Sequence, residues 1–225
     1  MIKSVLLIVG IVITGLVAQS QTPKLTNPTV SDPAAKKVLD EVSAKFKTYK
    51  AVTAGFVLKN EDGKGKVLDT KKGTVSMKAS KYRVNIAGGA EIYCDGANIW
   101  TYDKAANEVT ITKLDGSSSM ITPQRLFTNF YDKDFYYKLN GERKEAGKTI
   151  QEIEMTPVDK TKAFHKVYLL IDKQAKSIYS TIILDKSGTK ISYILNTING
   201  KAPLTDAMFT FDKSKYPGVE EVDLR

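Results

Sequence analysis

The sequence predicts a mainly β protein with helices (α+β class), built on one strongly curved antiparallel sheet of about eleven strands. We expect this sheet to form an incomplete, unclosed β-barrel, covered by an N-terminal helix and a mid-chain helical lid. Apolar and polar residues alternate with a period of two from Val52 onwards. Turns that contain Gly, Asp-Gly or Asn separate these runs at roughly the 8 to 12 residue spacing of antiparallel hairpins. Two segments with helical periodicity account for the helix and the lid.

Residues 1–20 have the pattern of a cleavable secretory signal peptide. Lys3 supplies a positive charge, and the stretch 5–17 is apolar apart from one threonine and two glycines. Small residues follow at the positions that a signal peptidase reads, which predicts cleavage after Ala18 or after Ser20. An uncleaved membrane anchor is the disfavoured alternative, because a spanning helix needs roughly 18 to 20 apolar residues.

The remaining chain is expected to form one domain. Residues 21–31 are rich in Pro, Thr and Asn and predict a flexible leader. Residues 32–225 have a length that suits a single all-β barrel or sandwich. A core of this size needs no disulfide, and one cysteine cannot form an internal one.

The first element is an amphipathic helix. Ser31 or Asp32 is a suitable N-cap, and Pro33 occupies the first turn, where proline is favoured. One face of the helix is apolar, so we expect it to pack against the sheet. This face consists of Val38, Val42 and Phe46, with Leu39 and Tyr49 beside it.

Short β-rich runs follow the helix in two sets. The first set is "TAGFVLKN", "GTVSMKAS", "KYRVNIAG", "AEIYCDG", "NIWTYDK" and "EVTITKL". The second set is "FYYKLNGER", "KTIQEIEMTP", "FHKVYLLID", "SIYSTIILDKSG", "TKISYILNTIN" and a last short "MFTFD". The connections predict a meander of neighbouring antiparallel strands.

The segment 116–134 interrupts the meander. A Ser-rich entry leads to Thr122-Pro123, which is a typical helix start. Leu126, Phe127 and Phe130 then lie on one apolar helix face. A short apolar helix at this place suits a plug, a lid or a second packing helix.

The charge of the chain does not indicate nucleic-acid binding. The formal net charge is +9, but only four of the 34 basic residues are arginine, the side chain best suited to phosphate and base edges. The lysines are scattered along strands and turns. We therefore favour a solvated lysine-rich surface and no nucleic-acid partner, with attraction to anionic lipid or to an acidic partner as the weaker reading.

The residues give no sign of catalytic or metal-binding machinery. Cys94 and His165 are the only cysteine and the only histidine, and no third group is marked that would orient them as a catalytic pair. One Cys and one His cannot assemble a usual zinc site, and no calcium loop, GxGxxG, Walker or GxSxG sequence is present. We expect no catalytic residue, no metal and no cofactor.

The apolar residues of one hairpin are the remaining functional candidates. Tyr82, Val84 and Ile86 share a strand face that Ile92 can join. They suit ordinary core, or the wall of a hydrophobic cavity, because curved sheets with helices across the mouth often enclose apolar ligands. In the same region Asp95-Gly96 predicts a tight turn, and Trp100 and Tyr102 share one face of the next strand.

Several segments resemble those of the LolA family, periplasmic carriers of outer-membrane lipoproteins, in the family's order. "CDGANIWTYDKAANEVTI" resembles the family's (S)DG-x-x-hydrophobic-W-x-Y-(D/N)-P hairpin, and "TAGFVL" its A-x-F-x-Q strand. "GTVSMKASKYRV" resembles the G-x-hydrophobic, R-P-x-x-F-x-W strand pair, and the "TPQRLFTNF" helix follows it. The end "AMFTFDKSKYPGVEEVD" resembles F-x-F-x-x-P-x-G-V-x-V-x-D.

The resemblance implies roles for particular residues. Tyr82, Val84, Ile86 and Ile92 would line an acyl-chain cavity, and Leu126, Phe127 and Phe130 would form its lid. Tyr82 matches the family's aromatic position beside the rim, where the inner-membrane release complex engages the carrier.

The sequence departs from the family at four of these positions. The family's lid-tethering arginine corresponds to Lys78, its proline to Ala79 and its tryptophan to Val84, while Leu58 replaces a glutamine. Lysine keeps the charge but lacks the planar fork of arginine, so the lid-closing contact expected at Lys78 would be weaker or differently made.

The function that the resemblance implies is a periplasmic carrier. It would bind the acyl chains of lipoproteins and ferry them from the inner to the outer membrane. The expected partners are acylated lipoproteins, the inner-membrane lipoprotein-release ABC transporter complex and, where one exists, an outer-membrane acceptor; the protein itself is expected to be a monomer. Two alternatives remain: a lipid-binding or sensing module of the same fold without transfer activity, and an exported hydrolase.

Overall fold

The architecture follows from the alternation of apolar and polar residues along consecutive strands, each of which reverses direction at a turn. The computed structural model describes residues 29–114 and 131–225. Its helices are α1 (Pro33–Lys47) and the single turn α2 (Tyr131–Asp134). Its strands are β1 (Val52–Glu61), β2 (Val67–Lys78), β3 (Lys81–Ile86), β4 (Glu91–Cys94), β5 (Asn98–Asp103), β6 (Glu108–Lys113), β7 (Phe135–Glu145), β8 (Lys148–Pro157), β9 (Phe164–Asp172), β10 (Ser177–Asp185), β11 (Lys190–Asn199) and β12 (Glu220–Asp223).

All twelve strands join one sheet, in the order β12-β6-β5-β4-β3-β2-β1-β11-β10-β9-β8-β7. Neighbours are antiparallel except at one edge, where β12 lies parallel to β6. The outer strands β12 and β7 do not pair with each other, so the barrel is not closed. The predicted fold class is confirmed: a single, curved, unclosed sheet with helices.

The C-terminal part of the chain differs from the sequence-based expectation. The run "MFTFD" was expected to be the last strand, but Asp206–Phe209 forms a 3-10 turn and the last strand lies further on, in β12. Phe209 and Phe211 alternate as in a strand, yet both are buried by packing against the rest of the molecule instead of extending the ladder. The alternation of this run therefore reflects the burial of two phenylalanine side chains and not a strand.

α1 is fixed at its start by the predicted cap. One Asp32 carboxylate oxygen accepts a hydrogen bond from the Ala34 amide at 2.8 Å, as an N-cap does. The other accepts from the Leu139 amide of β7 at 3.0 Å. The pKa of Asp32 is lowered, first by the bond from Leu139 and against the effect of burial. The cap therefore sets the helix start and also ties it to the sheet.

α1 packs into the concave side of the sheet near β7 and β10. Ala35, Leu39 and Val42 are buried there, and Phe46 and Tyr49 pack beside them, as the apolar stripe predicts. No helix in the described ranges is both long enough and apolar enough to cross a bilayer.

Candidate functional site

The concave face of β3 and β4 gathers the four strand residues that the sequence singles out. Cross-strand pairing places Tyr82 opposite Cys94 and Val84 opposite Ile92, so these side chains share one face. Tyr82 and Val84 are buried, whereas Ile86 and Ile92 are half-buried and pack against the same core. The structure therefore brings all four together on the side that α1 partly covers.

β1 and β11 extend this face with residues that the sequence analysis did not name. Ile86 pairs with Gly73 of β2, Gly73 with Phe56 of β1, and Phe56 with Leu195 of β11. The ring of Phe56 lies over the Gly73 backbone, because a Cβ added at Gly73 would be only 2.2 Å from a ring carbon. Phe56 also meets Tyr193 edge-on, with 5.9 Å between ring centroids.

The part of the concave face around these strands is only partly covered. Several apolar side chains there are half-buried although they belong to the main core cluster. They are Ile86, Ile92, Ile99, Ile191, Tyr193 and Leu195. A half-covered apolar surface of this kind suits binding of an apolar chain.

The two tyrosines of this face carry no charge near neutral pH. Burial raises the pKa of Tyr82, and its contact with Cys94 raises it further. Burial alone raises the pKa of Tyr193. Both phenols stay protonated, so they add polar tips without adding charge.

The lid residues named from the sequence, Leu126, Phe127 and Phe130, lie outside the described residues. α2 is the helical turn that ends the segment predicted to be helical. Its Tyr131 donates a hydrogen bond to Asp40 of α1 at 2.8 Å, which joins the end of this segment to the helix.

Lys78 lies at the end of β2 and binds the 3-10 turn that follows β11. Its ammonium is 2.9 Å from one oxygen of Asp206, while Lys81 is 2.8 Å from the other. Bonds from Lys81 first, and then from Lys78, lower the pKa of Asp206 to about 2. Between the two lysines Ala79 has a φ of 52°. Proline cannot adopt this angle, so the turn differs from the R-P pair of the family pattern.

The opposite, convex face of β4 and β5 carries a second apolar cluster, and Trp100 and Tyr102 belong to it. Tyr102 lies 4.4 Å from the ring of Tyr216. Phe211 lies 4.6 Å from Tyr216 and 5.7 Å from Tyr93. The C-terminal segment thus covers the outside of the "CDGANIWTYD" hairpin.

A buried carboxylate anchors this covering segment. Glu91 accepts hydrogen bonds from Tyr93 at 2.6 Å, Arg83 at 3.0 Å and Tyr216 at 3.2 Å. Burial would raise the pKa of Glu91, but these three bonds outweigh it and the pKa is lowered. The Glu91 carboxylate thereby links β3 and β4 to Tyr216 of the C-terminal segment.

Cys94 and His165 are not arranged as a nucleophile and its base. Cys94 is fully buried on the concave face, and burial raises the pKa of its thiol. His165 is exposed on β9, with Nδ1 3.2 Å from the Asp185 carbonyl oxygen. In the predicted Asp95-Gly96 turn, Asp95 accepts bonds from two backbone amides and Gly96 has a φ of 96°. Within residues 29–114 and 131–225, no three His, Cys, Asp or Glu side chains are grouped to hold a metal.

An open groove of about 470 Å³ runs along the exposed side of α1, away from these strands. Four of its six lining residues are charged. It is lined by Pro33, Lys36, Lys37, Asp40, Glu41 and Ala44.

An unclosed curved sheet with a helix in its concave side and an apolar face beside it is an arrangement suited to holding an apolar ligand. The sequence profile described as "Outer membrane lipoprotein carrier protein LolA" matches residues 47–212, so the chain belongs to this family. The predicted family membership is confirmed.

Individual relatives are distant. An outer-membrane lipoprotein carrier protein of Cupriavidus necator is 25% identical over 197 residues, covering 84% of this chain and 90% of that protein. The protein of the same name from Cupriavidus taiwanensis is 26% identical over 194 residues, covering 83% and 89%. An uncharacterized conserved protein from Thermus thermophilus has a similar structure, with a TM-score of 0.56, 14% identity and coverage of 84% and 99%. This last likeness concerns the fold alone.

Proposed function

We propose that this protein carries lipoproteins by binding their acyl chains on the concave face of the sheet. The observation that carries the proposal is the half-buried apolar surface of β3, β4 and β11, which includes Ile86, Ile92, Tyr193 and Leu195. An acyl chain needs a surface of this composition, and the protein belongs to a family of lipoprotein carriers.

The energetics explain why such a surface is half-covered. Exposure of apolar chain to water costs about 0.8 kcal/mol per CH₂, so one long acyl chain costs on the order of 10 kcal/mol to hydrate. A carrier must remove most of this cost and still release the chain to a membrane. A partly covered face with adaptable aliphatic side chains gives up its ligand more readily than a closed cavity.

The lid and Lys78 complete the proposed site. Leu126, Phe127 and Phe130 would cover the bound chain. The ammonium of Lys78 would hold the lid closed, and Asp206 would compete for it, because the two already form an ion pair. When the lid closes, Lys78 would then leave Asp206 and bind the lid.

The proposal includes a location and partners. The protein would be exported by the signal peptide in residues 1–20, which would be cleaved after Ala18 or Ser20. It would act in the periplasm as a monomer without enzymatic activity. It would receive acylated lipoproteins from the inner-membrane release ABC transporter complex and pass them to the outer membrane, through an acceptor where one exists. Tyr82 would lie beside the surface that meets the release complex.

A capture experiment tests the proposal. Inner-membrane vesicles that bear an acylated lipoprotein are incubated with the pure protein and ATP, and the vesicles are then removed. A soluble one-to-one complex is expected with the acylated form and none with a form that lacks the acylated cysteine. Equal capture of both forms, or of neither, would reject the carrier function.

Two substitutions on one strand provide the matched comparison. Ile86→Lys places a charge on the concave face and is expected to lower capture at least about tenfold, since burying an unpaired charge is costly. Asn85→Lys changes the neighbouring exposed side chain on the opposite face, beside Glu91, and is expected to leave capture unchanged.

Replacement of Phe130 by Glu is expected to abolish capture without unfolding the protein.

Release separates the carrier from a lipid-binding or sensing module of the same fold. The captured complex is mixed with outer-membrane vesicles, and transfer of the lipoprotein is followed. Capture without release would assign the protein to the sensing class.

A further inference from the structure

One end of the sheet presents three turns side by side. They are the β1–β2 turn (62–66), the β8–β9 turn (158–163) and the β10–β11 turn (186–189). In the sheet order, these turns lie between β2 and β8 on the same side. We call these turns, together with Val67 and Leu68 at the start of β2, the turn end.

Contacts between neighbouring turns join them into one surface. A methyl group at Gly63 would lie 3.3 Å from the Gly188 carbonyl oxygen, so the first and third turns touch. The Lys186 amide donates to the Ala163 carbonyl oxygen at 3.0 Å, which joins the third turn to the second. Strands spaced about 4.8 Å apart give this row a width of roughly 25 Å.

The turn end exposes large apolar side chains. Val67 is 48% exposed, Leu68 60% and Val158 42%. Leu68 is a bulge residue, because Asn60 pairs with Asp69 while Glu61 pairs with Val67. The bulge leaves Leu68 outside the regular ladder, where it contributes little to the core. Val67 and Leu68 follow the first turn and Val158 belongs to the second, so exposed apolar side chains stand at both ends of the row. Such side chains suit contact with an apolar phase.

Lysines surround these apolar side chains. Residues 61–66, 158–163 and 185–190 contain six lysines and four carboxylates. Three of the four carboxylates accept bonds from backbone amides of their own turns: Asp62, Asp159 and Asp185. The lysines Lys64, Lys66, Lys160 and Lys186 are exposed. The ammonium groups of Lys160 and Lys186 also bond to carbonyl oxygens in or beside the second turn, and Lys190 pairs with Glu61. The six lysines still outnumber the four carboxylates, so this end of the sheet carries a net positive charge.

We propose that the turn end docks the protein reversibly on the surface of an anionic phospholipid bilayer. Lysine ammonium groups attract anionic head groups, and the exposed valine and leucine side chains enter the boundary between head groups and acyl chains. An acidic protein surface would use the lysines but would leave the apolar side chains unexplained. The docking needs no acyl-chain cargo, so its test is independent of the carrier function.

Docking would also orient the concave face. Ile191 follows the β10–β11 turn almost directly and lies on that face, opposite Asn60 of β1. The end of the apolar face that carries Ile191 would therefore be held close to the lipid surface, where a chain enters or leaves.

Vesicle flotation tests the proposal directly. Vesicles of phosphatidylcholine alone are compared with vesicles that contain phosphatidylglycerol, at low and at physiological salt. Binding is expected only with the anionic lipid and is expected to weaken as salt rises. No binding to anionic vesicles, or equal binding to both lipids, would overturn the proposal.

Matched substitutions assign the binding to the turn end. Leu68→Ser with Val158→Ser is expected to weaken binding at least about fivefold. Ile198→Ser with Leu224→Ser removes apolar side chains exposed elsewhere, 39% and 65%, and is expected to change binding less than about twofold. Thermal unfolding of each variant shows whether it is folded. Unchanged binding by the folded Leu68/Val158 variant would reject the docking surface.

A second pair of double variants tests the lysines. Lys64→Gln with Lys66→Gln is expected to weaken binding and to flatten its salt dependence. Lys113→Gln with Lys201→Gln, at exposed sites away from the turns, is expected to change neither. Equal effects of both pairs would show that net charge alone acts, and would overturn the site.

A spectroscopic probe gives a direct readout of depth. A cysteine introduced as Leu68→Cys can be labelled selectively with an environment-sensitive dye, because Cys94 is 0% exposed. A blue shift on anionic vesicles is expected. A shift produced by an acidic protein and not by vesicles would assign the surface to a protein partner instead and would contradict the proposal.

Discussion

Gly73→Ala is expected to destabilise the protein mainly through one neighbour, the ring of Phe56. The added methyl carbon would lie 2.2 and 2.6 Å from two ring carbons of Phe56, and 2.9 Å from the Asn85 carbonyl oxygen. Carbon atoms normally approach to about 3.5 Å, so the ring has to move by roughly 1 Å. Overpacking of this kind costs roughly 1 to 3 kcal/mol.

A smaller opposing effect reduces the net value. Replacing glycine by alanine in compatible backbone gains about 0.4 to 1 kcal/mol through the unfolded chain. The strand conformation at Gly73 is compatible, since its φ is not among the positive ones. We therefore expect a net loss of about 1 to 2 kcal/mol, which lowers the midpoint of thermal unfolding by roughly 2 to 8 °C for a domain of this size.

A double-mutant cycle with Phe56→Leu isolates the contact. Denaturant unfolding is measured for the wild type, both single variants and the double variant. The leucine side chain no longer reaches the Gly73 backbone as the ring does, so Gly73→Ala should cost at least about 1 kcal/mol less in that background. An equal cost in both backgrounds, or stabilisation by Gly73→Ala alone, would refute the packing of Phe56 over Gly73.

Three further predictions follow from the two faces. Because the pKa of Glu91 is lowered in the folded protein, this carboxylate stabilises the fold above its unfolded pKa of about 4.3, and the effect is lost as pH falls through the folded pKa. The difference in unfolding free energy between wild type and Glu91→Gln, measured by urea unfolding, should therefore shrink towards low pH. A difference that stays constant with pH would contradict the assigned hydrogen bonds. Phe211→Ala should cost about 3 to 5 kcal/mol and should expose the Tyr93 and Tyr216 side of the hairpin, as hydrogen exchange would detect; unchanged exchange there would count against the covering role of the C-terminal segment. Cys94 should react with a thiol reagent only in unfolded protein, and Cys94→Ser should keep lipoprotein capture; loss of capture together with a normal melting curve would reopen a role for the thiol.

The sequence was sufficient to predict what depends on local periodicity. The Asp32-Pro33 start and the apolar stripe identify α1, and alternation with tight turns identifies the meander, because each signal lies within a few residues. β12 depends on pairing with β6 and on the bond from the Glu220 amide to the Asn107 carbonyl oxygen, a contact between distant parts of the chain. A short, polar strand of this kind has no local signal.

The candidate site could be predicted only in part for the same reason. Tyr82, Val84, Ile86 and Ile92 come from neighbouring strands of one hairpin, so alternation alone places them on one face. Tyr193 and Leu195 join that face through the register of β11 on β1, which no local pattern contains. The sequence does contain an alternating "ISYIL" run and a glycine opposite Phe56. These features indicate that Tyr193 and Leu195 join the face only once the register of β11 on β1 is known.

The most direct test of the proposed function asks which face of the sheet touches the acyl chain. A lipoprotein whose acyl chains carry a photoreactive diazirine is captured by the protein, irradiated and digested, and the modified residues are identified by mass spectrometry. We expect labels on concave-face residues such as Ile86, Ile92 and Leu195. Labels confined to convex-face residues such as Trp100 and Arg83, or spread equally over both faces, would contradict the account.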